Sequence, residues 1–266
     1  MTTSRRIRSI QFPFSPLLGL TLPIVWVLLS SPAAAGPAPY PPSPVIKQVV
    51  WDTRSLTRGA IESDLFPLTW AADGDLYTAW GDGWGFGGRS GEKGFLGVSR
   101  VSGGPTSYAG TDLWAAVGKS HGLIAVDGDL YMIMTEQGNG WSRAKIGRST
   151  DRGRTWSFNP GWDFDEPGGA FAAACFLQFG QDYRGARDQY VYGYSERRRN
   201  VFQPDIVLFR VPKNRITDRR AYEFFAGADD QGDPKWTADV SHMRPVFSHP
   251  EGVGWGIQAM YHPVFR

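Results

Sequence analysis

The chain has 266 residues, 14% of them aromatic and 20% charged, a net charge of +2 and one cysteine, Cys175. A single cysteine excludes an internal disulfide framework, and the histidines (His121, His242, His249, His262) show no zinc-ligand spacing. Residues 1–35 hold three arginines and no acid, so the rest of the chain carries −1, and the basic balance gives no argument for nucleic acid as a partner.

In chain order, Arg5, Arg6 and Arg8 precede an apolar run over 17–29, followed by Ala33-Ala34-Ala35. This order predicts a secretory signal peptide over 1–35, cleaved after a small-residue site, and an exported protein. The alternative is an uncleaved anchor, but the run is short for a membrane span and contains Pro23. Residues 36–45 are proline-rich and read as a stiff spacer. Residues 46–266 combine abundant glycine, tryptophan and tyrosine with few amphipathic helical patterns, which predicts an all-β domain of short strands.

The pentapeptide Asp-Gly-Asp-Leu-Tyr occurs at Asp73–Tyr77 and again at Asp127–Tyr131, 54 residues later. An Asp-Gly step between strand-like runs signals a tight hairpin. Two such hairpins in matching surroundings predict repeated β-units, and a period near 50 suggests propeller blades. The first unit, 61–109, has expected strands at 61–71, 76–81, 95–101 and 106–109. The second, 119–160, has them at 122–126, 130–135, 143–148 and 155–158. The third, 170–226, has them at 170–179, 190–195, 206–211 and 222–225. Four antiparallel strands per unit is the blade pattern of a β-propeller. Residues 256–261 read as the first strand of a fourth unit within 254–266. Because a propeller needs at least four blades to close, the sequence is expected to be C-terminally truncated.

The 54-residue register aligns Asp82 with Glu136 and Pro67 with His121, and sets Asp64 opposite Gly118. Innermost blade strands line a central funnel, so Asp64 is the leading catalytic carboxylate, against the plainer role of capping a turn. Asp82, Glu136 and Glu196 each end the exit strand of a hairpin; they face the funnel or are simply polar strand ends. Asp82 and Glu136 complete the catalytic candidates, and Glu196 is a substrate-binding one. His121, at the start of the second unit, and Gln258, at the start of the fourth, are further binding candidates. Trp80, Trp84 and Phe86, around a glycine-rich stretch, offer flat rings to a sugar or merely cover the blade edge. Asp163, Asp165 and Glu166 suit either a structural Ca²⁺ or a solvated turn, and no cofactor is indicated. Cys175, in an apolar run, reads as a buried inert thiol.

Ser149-Thr-Asp151-Arg-Gly153-Arg-Thr155-Trp156 fits the Asp-box of sialidase-like propellers, a motif of fold rather than catalysis. It joins Ser63-Asp-Leu-Phe-Pro-Leu-Thr-Trp70, Asp73 to Gly83, Lys119-Ser-His-Gly122, Tyr183-Arg-Gly-Ala-Arg-Asp188, Val211-Pro-Lys213 and Ala221-Tyr-Glu-Phe-Phe225. Together these stretches resemble the bacterial exported family catalogued as domain of unknown function 4185, along most of 46–266. That resemblance implies a five-bladed propeller, and some members are endo-D-arabinanases that cut mycobacterial cell-wall arabinan. The implied activity is glycoside hydrolysis of a bacterial or plant polysaccharide by two carboxyl groups, one acid and one base or nucleophile. On this reading Asp64 is the base or nucleophile, and Asp82 or Glu136 the acid. The partner is a polysaccharide, with no nucleic acid and no stable membrane span after signal cleavage. The competing expectations are a non-catalytic glycan-binding propeller and an inactive truncated copy.

Overall fold

The computed structural model describes residues 42–89, 92–135, 143–158, 171, 173–197, 204–253 and 256–264. Blade 1 comprises β1 (Leu68–Trp70), β2 (Leu76–Gly83), β3 (Gly94–Ser102) and β4 (Ala109–Ala116), paired in that order. Blade 2 comprises β5 (Lys119–Val126), β6 (Asp129–Thr135), β7 (Ala144–Ser149) and β8 (Ser157–Phe158), again in order. Blade 3 is built on β9 (Cys175–Gln178), β10 (Tyr190–Glu196), β11 (Asp205–Pro212) and β12 (Glu223–Ala228). Beyond β12 lies β13 (Pro234–Thr237). β14 (Pro245–Ser248) pairs the early part of β11, and β15 (Ala259–Met260) runs parallel to β9. The chain is an all-β propeller of antiparallel blades. Among the described residues the only helical pieces are three-residue 3₁₀ turns.

The middle blade shows why these residues form stacked sheets. Along β5, Leu123 and Ala125 join a core with Tyr77, Ala79, Leu96 and Val98 of blade 1. The intervening Ile124 and Val126 join the core of blade 3, with Phe176, Val191 and Phe209. β6 repeats the split, Leu130, Met132 and Met134 toward blade 1, Tyr131 and Ile133 toward blade 3. Side chains alternate faces along a strand, so a sheet covered on both sides reads as a continuous apolar run. Burying such side chains contributes roughly 1.5–3 kcal/mol each.

Polar side chains tie the innermost strands together. Thr69 Oγ1 accepts from the Ala125 N–H at 2.9 Å and donates to Gln178 Oε1 at 2.9 Å. Gln178 Nε2 donates to the Leu123 carbonyl at 2.8 Å. β1, β5 and β9 are thus stapled through backbone groups that would otherwise lack partners.

The repeated pentapeptide forms two hairpins of different length. In blade 1 the Ala71 N–H reaches the Asp75 carbonyl at 3.0 Å, leaving a three-residue turn over 72–74. In blade 2 Val126 pairs with Asp129, leaving a two-residue turn with φ of 51° at Asp127 and 89° at Gly128. The second acid of each copy pairs with an arginine across the sheet, Asp75 with Arg100 and Asp129 with Arg148. The extra turn residue shifts the first-strand register. Gly81 and Thr135 are 54 apart, but their partners Asp64 and Lys119 are 55 apart. Lys119, not Gly118, is the blade 2 counterpart of Asp64, and His121 corresponds to Phe66 instead of Pro67.

Other strand limits also differ from expectation. The first strand of blade 1 is not continuous over 61–71. Leu65 (φ 77°) and Phe66 (φ 41°) turn left-handed and reduce its start to an isolated bridge between Asp64 and Gly81. The fourth strand of blade 1 lies over Ala109–Ala116 rather than 106–109, because Gly103 to Tyr108 form the preceding turn and a bulge at Val98/Ser99 blurs its alternation.

Candidate functional site

Inner strands start, and the strands after them end, at one rim of the propeller. At that rim Asp64 bridges Gly81 through two backbone bonds, Asp64 N to Gly81 O at 2.9 Å and Gly81 N to Asp64 O at 3.0 Å. A Cβ on Gly81 would stand 2.8 Å from Asp64 Oδ1 and 3.1 Å from Lys119 Nζ. Glycine at 81 therefore leaves the space into which an acid and a lysine both reach. Lys119 Nζ forms an ion pair with Asp82 and donates to the Phe95 carbonyl at 3.3 Å. The lysine side chain is 12% exposed and that of Asp82 55%. Asp64, Lys119 and Asp82 thus form one cluster. Asp64's carboxylate makes no ion pair among the described residues and faces solvent.

A second group stands beside the first. His121, two positions beyond Lys119, is 5% exposed, and Glu196, the last residue of β10, is 7% exposed. Glu196 Oε1 accepts from the Gly256 N–H at 3.0 Å, and a Cβ on Gly256 would lie 3.4 Å from His121 Nδ1. Blade 2, blade 3 and the segment leading into β15 therefore meet at His121 and Glu196. Glu136 lies outside the described residues, as do Asp163, Asp165 and Glu166. Among the described residues no three His, Cys, Asp or Glu side chains are grouped to hold a metal.

The aromatic candidates divide. Trp80 is buried, donates from Nε1 to Ser99 Oγ at 2.8 Å and lies across Gly97, where a Cβ would stand 2.1 Å from the indole. Phe86 packs on Gly110 in the same way. Both are engaged within blade 1. Trp84 is half-buried at the surface, with Lys93 Nζ 4.9 Å and Arg89 Cζ 5.5 Å from its ring centre. Glu62 gathers both cations, and the Lys93 hydrogen bond holds its carboxyl below the ordinary value, with Arg89 adding to the effect. Gln258 lies two residues beyond Gly256, whose N–H bonds Glu196. It lines a cavity of about 410 Å³ between β1 and β15, with Phe66, Leu68, Trp70, Gln178 and Met260.

Neither Lys119 nor the Thr69–Gln178 staple is singled out by the sequence pattern. Lys119 opens an apolar strand as a lone cation, but the 54-residue register sets Gly118 and not Lys119 opposite Asp64; the staple had no local signal.

The Ser149 to Trp156 segment is a hydrogen-bonded turn away from this rim. Asp151 Oδ1 accepts from Arg154 N at 3.1 Å and Thr155 N at 2.9 Å, and Oδ2 accepts from Thr155 Oγ1 at 2.7 Å. These bonds, led by the Thr155 hydroxyl, hold the Asp151 carboxyl down at about 2.

No protein-family model and no curated protein sequence matches the chain. Solved structures resemble it in fold. A candidate hydrolase from Bacteroides ovatus is 10% identical over 70% of this chain and 56% of its own, with a TM-score of 0.42. A GH43_1 enzyme from Xanthomonas citri is 15% identical over 71% of this chain and 61% of its own, at 0.37. A Hadza microbial sialidase is 14% identical over 71% and 48%, at 0.37. The chain spans about half to three-fifths of these proteins. The propeller architecture stands on its own strand pairing, and likenesses at these scores add no argument about chemistry.

Proposed function

We propose that the chain is an exported glycoside hydrolase acting on a bacterial or plant polysaccharide such as an arabinan, with Asp64 as base or nucleophile. The observation that carries this reading is the clustering of Asp64, Lys119 and Asp82 around Gly81. Asp64 presents a carboxylate to solvent at the start of an inner strand, beside a fixed cation. Hydrolysis of a glycosidic bond needs two carboxyl groups across the scissile bond. Asp82 is already engaged by Lys119, so the proton donor on this reading is Glu196, buried on the same rim, or Glu136 by register with Asp82. Left-handed backbone at Glu62, Leu65 and Phe66 holds Asp64 in a costly local geometry, and strain of this kind gathers at functional sites. The motif resemblance to the family with arabinan-cutting members supports the substrate class, and the leader over 1–35 supports export.

The test is release of new reducing ends from an arabinan panel. Wild-type protein is expected to release them, and Asp64→Asn to abolish release with an unchanged melting curve. Full activity in Asp64→Asn overturns the assignment. The engagement of Asp82 by Lys119 favours a second reading, a glycan-binding propeller without catalysis. That reading predicts saturable binding without new reducing ends.

A further inference from the structure

A groove of about 400 Å³ lies along blade 1 and is bordered by Trp80, Trp84, Glu92, Asp112 and Trp114. We propose that it is a sugar-binding subsite, separate from the acids, that holds further residues of a neutral polysaccharide chain, with Trp84 as its stacking platform. The inference rests on the carbohydrate reading above but not on catalysis.

Three observations carry it. First, the lining has the chemistry of sugar recognition. Trp84 offers the partly exposed face of an indole ring and the exposed carboxylate of Glu92 offers acceptors to hydroxyl groups, whereas Trp80 is buried and Asp112 already accepts from the Phe86 N–H, the Gly87 N–H and the Ser99 hydroxyl. Both acids are exposed, and Glu92 makes no ion pair among the described residues. Lys93 and Arg89 stand over the Trp84 ring and share Glu62 as their ion-pair partner, and with Glu92 and Asp112 added the three acids outnumber the two cations, which suits a neutral chain better than an anionic one.

Second, the platform is held rigid. Asp112 accepts from the Phe86 N–H at 3.0 Å and the Gly87 N–H at 2.8 Å. Ser63 Oγ accepts from the Gly85 N–H at 3.0 Å, and the Trp84 N–H reaches the Ile61 carbonyl at 3.1 Å. A loop whose backbone is fixed before binding loses little freedom on contact, so more of the interaction energy appears as affinity.

Third, the platform is tied through its backbone to the segment that carries Asp64. Trp84 follows Asp82 by two residues, and its loop hangs on Ile61 and Ser63, next to Asp64.

The experiment is affinity electrophoresis of the mature protein through gels containing linear arabinan, arabinoxylan or, as an anionic comparator, polygalacturonate. Reducing-end release is measured on the same preparations. Wild type is expected to be retarded by a neutral polymer, Trp84→Ala to bind about tenfold more weakly, and Trp84→Phe to recover most of the loss. Glu92→Ala, an exposed change that leaves the fold intact, is expected to weaken binding several-fold and decides the matter if Trp84→Ala does not fold. Equal retardation of wild type, Trp84→Ala and Glu92→Ala overturns the proposal, as does no retardation of wild type or retardation by polygalacturonate alone. Binding that depends on Trp84 without reducing-end release leaves the subsite standing and removes the hydrolase. Release that is indifferent to Trp84 and Glu92 does the reverse.

Discussion

Lys119 occupies in the second blade the place that Asp64 occupies in the first, and its ammonium returns to the first blade to pair with Asp82. Two blades therefore share one charge cluster, in which the second blade supplies the cation and the first the acids. The arrangement exists because Gly81 has no side chain where these groups meet.

Replacing the lysine tests whether the cluster acts as a unit. Lys119→Met leaves Asp82 with more than half of its side chain in water, so the stability cost is expected to stay within about 1 kcal/mol. Polysaccharide cleavage is expected to fall at least ~10-fold, because the position and field around Asp64 change. Lys119→Arg, which restores the cation, should recover part of it. Thermal melts and reducing-end assays on the three proteins check this, and undiminished cleavage by Lys119→Met would remove the lysine from the site.

The staple between inner strands makes a prediction about folding. Thr69→Val keeps the shape of the side chain but strands the Ala125 N–H and Gln178 Oε1, both bound by Thr69 in the native fold. The Ala125 N–H is buried, and a buried group that loses its partner costs about 1–3 kcal/mol. Urea unfolding should show a lower midpoint at an unchanged slope, the pattern of a stability change alone.

The blades were legible in the sequence because β5 and β6 bury both faces, and such strands announce themselves as unbroken apolar runs between Asp-Gly turns. Asp64 was expected on a continuous first strand over 61–71, and left-handed Leu65 and Phe66, which no sequence pattern announces, leave it instead on an isolated bridge to Gly81. Lys119 was not legible, because the two copies of one pentapeptide close turns of different length, and a single residue changes which side chain meets Asp64. Trp80 reads as an exposed platform until Gly97 is known to lie under it, a cross-strand relation that no local pattern contains. Thr69 and Gln178 look like polar interruptions of apolar strands, and their purpose appears only once three blades are side by side.

Cys175 should be chemically silent in the native protein. Burial pushes its thiol up to about 11, so almost no thiolate exists near neutral pH, and the sulfur is covered as well. A thiol-disulfide reagent at pH 8 is expected to leave the native chain unmodified and to label one thiol after denaturation. Rapid labelling of native protein would contradict the buried position.

The turn at Asp151 carries a stability contribution with a defined pH window. Its carboxyl is held at about 2, below the unfolded value of 3.8, by the Thr155 hydroxyl and backbone N–H groups of the turn. A carboxyl depressed in the folded state binds its proton more readily when unfolded, so it stabilises the fold above the unfolded value. That contribution shrinks as pH falls from about 3.8 and is gone once pH has passed below about 2. Asp151→Asn, which lacks the charge at every pH, should melt below wild type at pH 7, and the gap should narrow steadily between pH 4 and pH 2. A gap that stays constant across that range would mean that the turn depends on the shape of the side chain and not on its charge. Because the turn lies away from the rim, folded Asp151→Asn is expected to keep whatever polysaccharide binding the wild type has, which separates its structural work from that of Asp64.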